Sequence, residues 1–298
     1  AAVLPWNARA QTQRSKPANS DNPLIDRASE LLRAGRLEEA ERVARDAVKS
    51  VPRNVNAHTI LGVILFQRGQ ANEAEQELRL SLRLNPKSTS ALTNLAIVLT
   101  KTGRVGEAIK SLQAVLTIEP NHSDAAYNLS LLYIQTKAYD QAITILNQLV
   151  RSAGGEASAN PALLLTLTNA YALSRRVKEV TRLADTLERR GADDARVLFT
   201  LGLSLVDAGL FEQAARLFER TNELKPNSYE VLYNLGLALI NLRQFDRART
   251  ALQAAATLQP DQPDVFYRLG LVASAKGESE NALGLWQRTI LLRPQYPD

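Results

Sequence analysis

The sequence predicts an all-α protein built from eight tandem helix-turn-helix repeats. Two observations lead to this prediction. Prolines recur with a fixed period of 34, and each period holds two blocks of apolar residues at helical spacing with a polar turn between them. The prolines that mark the period are Pro52, Pro86, Pro120, Pro226, Pro260 and Pro294.

Eight units of this length fit the chain once a short insertion is allowed. The stretch YNLGLALINLRQFDRA (233–248) matches YNLSLLYIQTKAYDQA (127–142), 106 positions earlier, which is three periods plus four residues. The extra residues fall within the small, flexible run GGEASAN. The predicted organisation is therefore an N-terminal tail (1–20), repeats 1 to 4 (21–156), an insertion (157–160) and repeats 5 to 8 (161–296).

Each predicted helix has one position reserved for small residues. With the unit numbered 1 to 34, position 8 of the first helix is nearly always small, and position 20 of the second is alanine in seven of eight units. Small side chains let facing backbones approach, while larger residues at positions 7 and 24 fill the gaps. Proline at position 32 ends the second helix. Gly154, Ala192 and Val180 depart from this pattern, so the fifth unit is predicted to be the weakest.

Composition narrows the range of functions. Hydrophobic residues make up 45% of the chain, yet no apolar run reaches the ~20 residues of a membrane span. The absence of cysteine excludes disulfides and thiolate metal sites. Three of the 36 basic residues precede Asp21, so the repeats carry 33 basic and 31 acidic residues. A nearly neutral array gives no reason to expect nucleic acid as a partner.

The period of 34 and the small, small, aromatic and proline positions resemble those of the tetratricopeptide repeat (TPR) family over residues 21–296. The resemblance implies an α-α superhelix, that is, a TPR solenoid of eight helix-turn-helix repeats. It also implies that the first helices line a concave groove, which binds a protein or peptide segment.

Two rows of residues are the candidate peptide-binding site in this groove. Position 5 gives an aromatic row, which suits an apolar segment because aromatic rings offer large contact area at low entropic cost. Packing between adjacent first helices is an equally good explanation for these rings. Position 6 gives an amide row that resembles the asparagine ladder of O-linked N-acetylglucosaminyl transferases, although Asp26, Ile60 and Arg268 interrupt it. The site residues are Tyr127, Phe199, Tyr233 and Tyr267 in the aromatic row and Asn94, Asn128 and Asn234 in the amide row.

Nothing in the sequence predicts an enzyme, a cofactor or a metal site. The only histidines are His58 and His122, and neither has an obvious catalytic partner. We expect His58 to be a packed or half-exposed side chain rather than a ligand, and His122 to be a solvated turn residue. The pair Arg189 and Arg190 is expected on a solvated face or at a helix end.

The two ends of the chain suggest a location and a further contact. Ala8-Arg9-Ala10 follows a short apolar stretch and resembles the end of a signal peptide with cleavage after Ala10. This favours a periplasmic or secreted protein over a disordered tail, a cloning remnant or a cytoplasmic location. The last predicted helix is apolar on more than one face, which predicts a longer native chain, docking of this repeat on a partner, or self-association through it.

Two functions are consistent with these observations. The favoured one is a non-catalytic scaffold for protein-protein interaction in the bacterial cell envelope, with a partner segment in the concave groove. The alternative is a substrate-presenting or targeting subunit of an enzyme system, which would use the amide ladder to bind peptide backbone.

Overall fold

The computed structural model describes residues 22–191 and 193–295, which form sixteen α-helices and no strand. The helices form eight helix-turn-helix pairs, so the predicted all-α fold class is confirmed. This part of the chain divides into two compact units, the first ending at Leu132 and the second beginning at Tyr133. The helices are α1 (Pro23–Arg33), α2 (Leu37–Ser50), α3 (Val55–Gln67), α4 (Ala71–Leu84), α5 (Thr89–Lys101), α6 (Val105–Ile118), α7 (Ser123–Gln135), α8 (Tyr139–Ser152), α9 (Pro161–Leu173), α10 (Val177–Arg190), α11 (Ala195–Asp207), α12 (Phe211–Leu224), α13 (Tyr229–Asn241), α14 (Phe245–Leu258), α15 (Pro263–Ala275) and α16 (Ser279–Leu292).

The turn within each pair has a left-handed residue at position 15. In the second repeat this residue is Gly69 (φ 83°), and the amide of Gln70 donates to the Leu65 carbonyl at 2.9 Å. This hydrogen bond closes the first helix in the manner of a Schellman motif. Lysine or arginine takes the left-handed position in three repeats, although glycine adopts it at lower cost. Those residues are Lys137 (φ 62°), Arg175 (φ 62°) and Arg243 (φ 59°).

Proline ends the second helix where the repeat has it. In six repeats the residue before the proline is extended, as at Asn85 (φ −141°, ψ 97°) before Pro86. Ala153 and Gly191 follow α8 and α10 in the two repeats without that proline, and both keep ψ near zero (2° and 23°). The difference follows from the clash of a proline ring with helical geometry at the preceding residue.

Close helix packing depends on the small residues at positions 8 and 20, all of which are buried. The large residue at position 24 rests directly on position 8 of the same repeat. A Cβ added to Gly62 would lie 2.8 Å from Leu78 Cγ, and one added to Gly236 would lie 2.5 Å from Leu252 Cγ. The predicted close approach of the two helices is therefore confirmed in both units.

Charged side chains join successive repeats in the first unit. Glu75 accepts hydrogen bonds from Arg79 at 2.9 Å and from Arg104 of the next repeat at 2.6 Å. Arg79 also reaches Glu107 at 3.2 Å. Partial burial by itself would raise the pKa of Glu75, but the two arginines outweigh it and hold the pKa below its ordinary value. The same arrangement occurs one repeat earlier among Glu41, Arg45, Arg68 and Glu73.

We expect Glu75→Gln to lower the free energy of unfolding of the first unit by about 1 kcal/mol at low ionic strength and by less in about 1 M salt. The folded-state pKa of Glu75 is depressed, so its contribution is present at neutral pH and is lost as the pH falls through that value. Urea unfolding at several pH values measures the difference. Glu30→Gln is the matched control, because the Arg27–Glu30 pair is exposed. An equal effect of Glu75→Gln at neutral and strongly acidic pH would contradict this account.

The predicted insertion is held by side chains of α10. Arg190 donates to the carbonyl oxygens of Glu156 at 2.6 Å and of Ala159 at 2.8 Å, and Ala159 is fully buried. Arg182 pairs with the Glu156 carboxylate. Arg190 is exposed at the end of α10, as expected, and in addition its guanidinium satisfies two loop carbonyls.

Candidate functional site

The first helices of the repeats carry the predicted site residues, and each unit has its own set. In the first unit α1, α3 and α5 contact one another in succession, and in the second α9, α11, α13 and α15 do so. Side chains at the same position of successive first helices therefore form a row. The structure places Asn94, Tyr127 and Asn128 in the first unit, and Phe199, Tyr233, Asn234 and Tyr267 in the second.

The amides of the first unit offer little to a peptide backbone. Asn94 is half-buried, and its Nδ2 donates to the Ser90 carbonyl of its own helix at 2.9 Å. Asn128 is only 8% exposed. Tyr127, the residue before it, is half-buried. A backbone-binding ladder uses the donors and the acceptor of each amide, and one of the two Asn94 N–H donors is already engaged within its own helix.

Asn234 of the second unit repeats this arrangement. Its Nδ2 donates to the Glu230 carbonyl at 2.7 Å, again four residues earlier in the same helix. The side chain remains half-buried, so its amide oxygen is the group left to accept a hydrogen bond from a partner.

Two tyrosines form a stack on α13. The rings of Tyr229 and Tyr233 lie 5.6 Å apart between centroids and 13° from parallel. Burial raises the pKa of Tyr229 to about 12, and Tyr233, Asp264 and Glu230 act in the same direction. Tyr229 therefore keeps its hydroxyl proton at all physiological pH values. Tyr233 is half-buried, so part of its ring surface is open to a partner.

The other two aromatic residues of the second unit differ in their surroundings. Phe199 packs against the buried Phe218, with ring centroids 5.8 Å apart, so part of its surface belongs to the core. Tyr267 is half-buried, and the guanidinium of Arg268 lies 5.4 Å from its ring centroid. The backbone carbonyl of Tyr267 accepts a hydrogen bond from Trp286 Nε1 at 3.3 Å. Tyr233 and Tyr267 are therefore better placed for binding than Phe199.

Sequence reasoning missed a row of leucines beside these rings. Leu203, Leu237 and Leu271 stand at position 9 of α11, α13 and α15, four residues after the aromatic row and hence on the same helix face. All three are half-buried. The recurrence of leucine at one position of successive repeats was the available signal. We call the combined surface the second-unit face; its residues are Phe199, Leu203, Tyr233, Leu237, Tyr267 and Leu271.

His58 lies in the core of the second repeat and has two partners. Its Nδ1 is 2.6 Å from Glu77 Oε2, and its Nε2 is 2.9 Å from the Pro52 carbonyl oxygen. The side chain is packed, as predicted, with the residue 2% exposed, and its two hydrogen-bond partners were not visible in the sequence. His122 lies in the turn before α7, where its Nδ1 accepts from the Ala125 amide at 3.3 Å.

Neither a metal site nor a membrane span is found in the part of the chain that the structure describes. Within residues 22–191 and 193–295, no three residues drawn from histidine, cysteine, aspartate and glutamate are grouped so that they could hold a metal ion. None of the described helices is long and apolar enough to cross a bilayer.

Comparison with protein families identifies the repeats. A tetratricopeptide repeat family model matches residues 25–89, 199–263 and 233–298, and a second tetratricopeptide repeat model matches residues 99–159. The chain belongs to the tetratricopeptide repeat family. Members of this TPR family are generally non-catalytic interaction scaffolds, so the family implies a protein partner. A search of curated proteins gives no match to this TPR protein.

Solved TPR structures share this fold. A tetratricopeptide repeat protein from Parabacteroides merdae ATCC 43184 is 20% identical, with a TM-score of 0.63 over 84% of this chain and 97% of that one. The crystal structure of the APC/C hetero-tetramer Cut9-Hcn1 has a chain that is 17% identical, with a TM-score of 0.55 over 93% of this chain and 54% of that one. At these identities the likeness concerns the fold alone.

Proposed function

We propose that this TPR protein is a non-catalytic scaffold that binds a segment of a partner protein on the second-unit face. The observation that carries the proposal is the pairing of half-buried aromatic and leucine side chains on successive first helices. Such side chains are exposed enough to contact a partner and fixed enough to lose little entropy when they do.

Tyr233 and Tyr267 are the aromatic residues of this face that we expect to contribute most to binding, because each ring is held by a neighbouring side chain. Tyr233 is held by its stack on Tyr229, and the Tyr267 ring lies against the guanidinium of Arg268. A ring held in place before binding costs less entropy to order, which favours both tyrosines as anchors.

The substrate-presenting alternative is less well supported. In Asn94 and Asn234 one of the two N–H donors of the amide is already given to a carbonyl of the same helix, so each amide has less left for a peptide backbone than an unengaged ladder residue. Side-chain contacts are therefore the main basis for recognition on this face, with backbone hydrogen bonds in a secondary role, and these contacts favour a scaffold with a preferred partner.

A crosslinking pull-down from the native source tests the proposal, using the full chain beside the variant Tyr233→Ala/Tyr267→Ala. We expect the variant to lose a partner that the wild type retains, because two anchor rings are removed. Tyr139→Ala is the matched control, since Tyr139 is a half-buried tyrosine on a second helix. Circular dichroism must show equal helicity for all three proteins. An identical set of captured proteins would overturn the role of this face.

We also propose that the protein acts in the bacterial cell envelope after export. The residues behind this proposal, Ala8 to Ala10, lie outside the described residues. Fractionation of the native host, followed by sequencing of the mature N-terminus, tests it. A mature protein that begins at Gln11 in the periplasm is expected, and a cytoplasmic protein with an intact tail would contradict export.

Self-association through the last repeat remains a prediction. On α16, Leu283 is 57% exposed and Ile290 is 56% exposed, and the two residues share a helix face. Light scattering over a range of concentrations measures the oligomeric state, and a concentration-independent monomer would count against it.

A further inference from the structure

The leucine row of the second unit has a regular geometry that restricts what can bind to it. Leu203, Leu237 and Leu271 occupy equivalent positions on three first helices, and α11 contacts α13, which contacts α15. The preceding first helix, α9, has Asn169 at this position. The row within the second unit is therefore three leucines long, with a polar residue at one end.

The spacing of the row is set by helix packing. Helices in direct contact lie about 8–10 Å apart, so equivalent leucines recur at about that interval. A polyproline II segment has three residues per turn and rises about 3.1 Å per residue, so every third side chain points the same way at intervals of about 9.3 Å. A β-strand repeats each face at about 6.6 Å, which does not match.

A helical partner with one apolar residue per seven would repeat at about 10.5 Å and also comes near this spacing. The polar row beside the leucines favours the extended segment. Thr200 and Asn234 stand at position 6 of α11 and α13, and each keeps an oxygen that can accept a hydrogen bond. The backbone amides of a polyproline II segment lack internal partners and can use such acceptors, whereas those of a helix cannot.

An acidic residue lies at the end of this surface that Leu203 occupies, whereas Arg268 lies beside Tyr267 at the other end. Asp207 is the last residue of α11 and follows Leu203 by four positions, so the two share a helix face. Burial raises the pKa of its carboxyl group, and the charge of Arg175 offsets this only in part. Arg175 donates to the backbone carbonyl of Asp207 at 3.4 Å. Among the described residues, no hydrogen bond or ion pair of this carboxylate is found. The negative end of the helix dipole further disfavours the charge, so a cation placed here would be stabilised.

We propose that the partner segment is an extended, polyproline II-like peptide with an apolar side chain at every third position and a basic side chain beside the one that contacts Leu203. The inference rests on the proposed function and specifies the partner of the same surface. Apolar burial against the leucines supplies affinity, and the contact with Asp207 fixes the register.

Fluorescence anisotropy with synthetic peptides tests the proposal. The probe is a labelled Lys-Leu-Pro-Pro-Leu-Pro-Pro-Leu peptide, and the controls are a peptide of the same composition with leucines at alternate positions and an alanine-rich helical peptide with leucines seven apart. We expect the first peptide to bind at least tenfold more tightly than either control, because only its side chains match both the spacing and the hydrogen-bonding surface.

Variants of the protein locate the binding surface. Leu237→Asn places in α13 the residue that α9 carries at the same position, Asn169, so the fold should be retained. The Leu237→Asn variant should bind the peptide about fivefold more weakly. This factor corresponds to the loss of about half the transfer free energy of a leucine side chain. Val63→Asn makes a similar change at the same position in the first unit and should leave binding unchanged. Asp207→Asn should weaken binding of the lysine peptide about threefold or more, and should not affect the same peptide with glutamine in place of lysine.

Equal binding of all three peptides, or tighter binding of the helical one, would overturn the inference. The same holds if Leu237→Asn and Val63→Asn have equal effects. A pull-down that loses its partner in the tyrosine variant while the spaced peptide fails to bind would reject this inference and leave the proposed function intact. Failure of both would reject the second-unit face altogether.

Discussion

Replacing His58 by alanine is expected to lower the free energy of unfolding of the first unit by about 3 kcal/mol. His58 on α3 connects Glu77 on α4 with the carbonyl of Pro52 in the preceding turn, so one side chain joins three segments. Its removal leaves a cavity in the core and two acceptors without a donor. Urea unfolding, together with hydrogen exchange of the amides in α3 and α4, measures the loss.

The other histidine provides the control. His122→Ala should cost about 0.5–1 kcal/mol, because His122 makes one hydrogen bond to the Ala125 amide at the start of α7, as a capping residue does. Similar losses for the two variants would show that the buried hydrogen bonds of His58 contribute little.

The hydrogen-bond partners also define the protonation of His58. A proline carbonyl oxygen can only accept, so Nε2 must carry a proton. The 2.6 Å contact between Nδ1 and Glu77 Oε2 must then hold a second proton, on either the ring or the carboxyl group. Nitrogen-15 shifts of the ring should therefore show Nε2 protonated, and an unprotonated Nε2 would contradict this arrangement.

Replacing Gly202 by valine is expected to destabilise the second unit by about 3 kcal/mol, because extra atoms in a filled core force side chains out of their rotamers. A Cβ at Gly202 would lie 2.6 Å from Cε1 of Phe218, which is fully buried and also packs against Phe199. Thermal unfolding with hydrogen exchange in α11 and α12 reports the change. Gly284→Val is the matched control, because Gly284 is a helical glycine whose added Cβ would meet nothing within 4 Å beyond its chain neighbours and the backbone of its own helix.

A second, compensating substitution distinguishes steric overlap with Phe218 from an effect of the Gly202 substitution on the backbone. The third repeat has Ala96 opposite Leu112, and both residues are buried. The double variant Gly202→Ala/Phe218→Leu recreates that pair. Its loss in free energy of unfolding should therefore be smaller than the sum of the two single-variant losses by at least about 1 kcal/mol. Additive single effects would show that Gly202 and Phe218 are not coupled.

The face proposed to bind a partner was only partly predictable. Positions 5 and 6 were identified because aromatic and amide side chains are conspicuous in a sequence. The leucines at position 9 resemble core residues, and only their half-burial distinguishes them. Phe199 shows the opposite case: it reads as a surface anchor, yet it packs on Phe218, because a ring at position 5 can turn toward its own repeat.

The sequence alone determined the period, the number of repeats and the fold class, because helix propensity, small residues and prolines act within a single repeat unit. The tertiary structure decided which groups meet: His58 with Glu77, Arg190 with the insertion, and Leu203, Leu237 and Leu271 in one row. These contacts join different helices or loops, and their geometry depends on side-chain rotamers and helix packing. The pattern of residues in the sequence specifies their spacing along each helix. It does not specify which side chains contact each other between neighbouring helices.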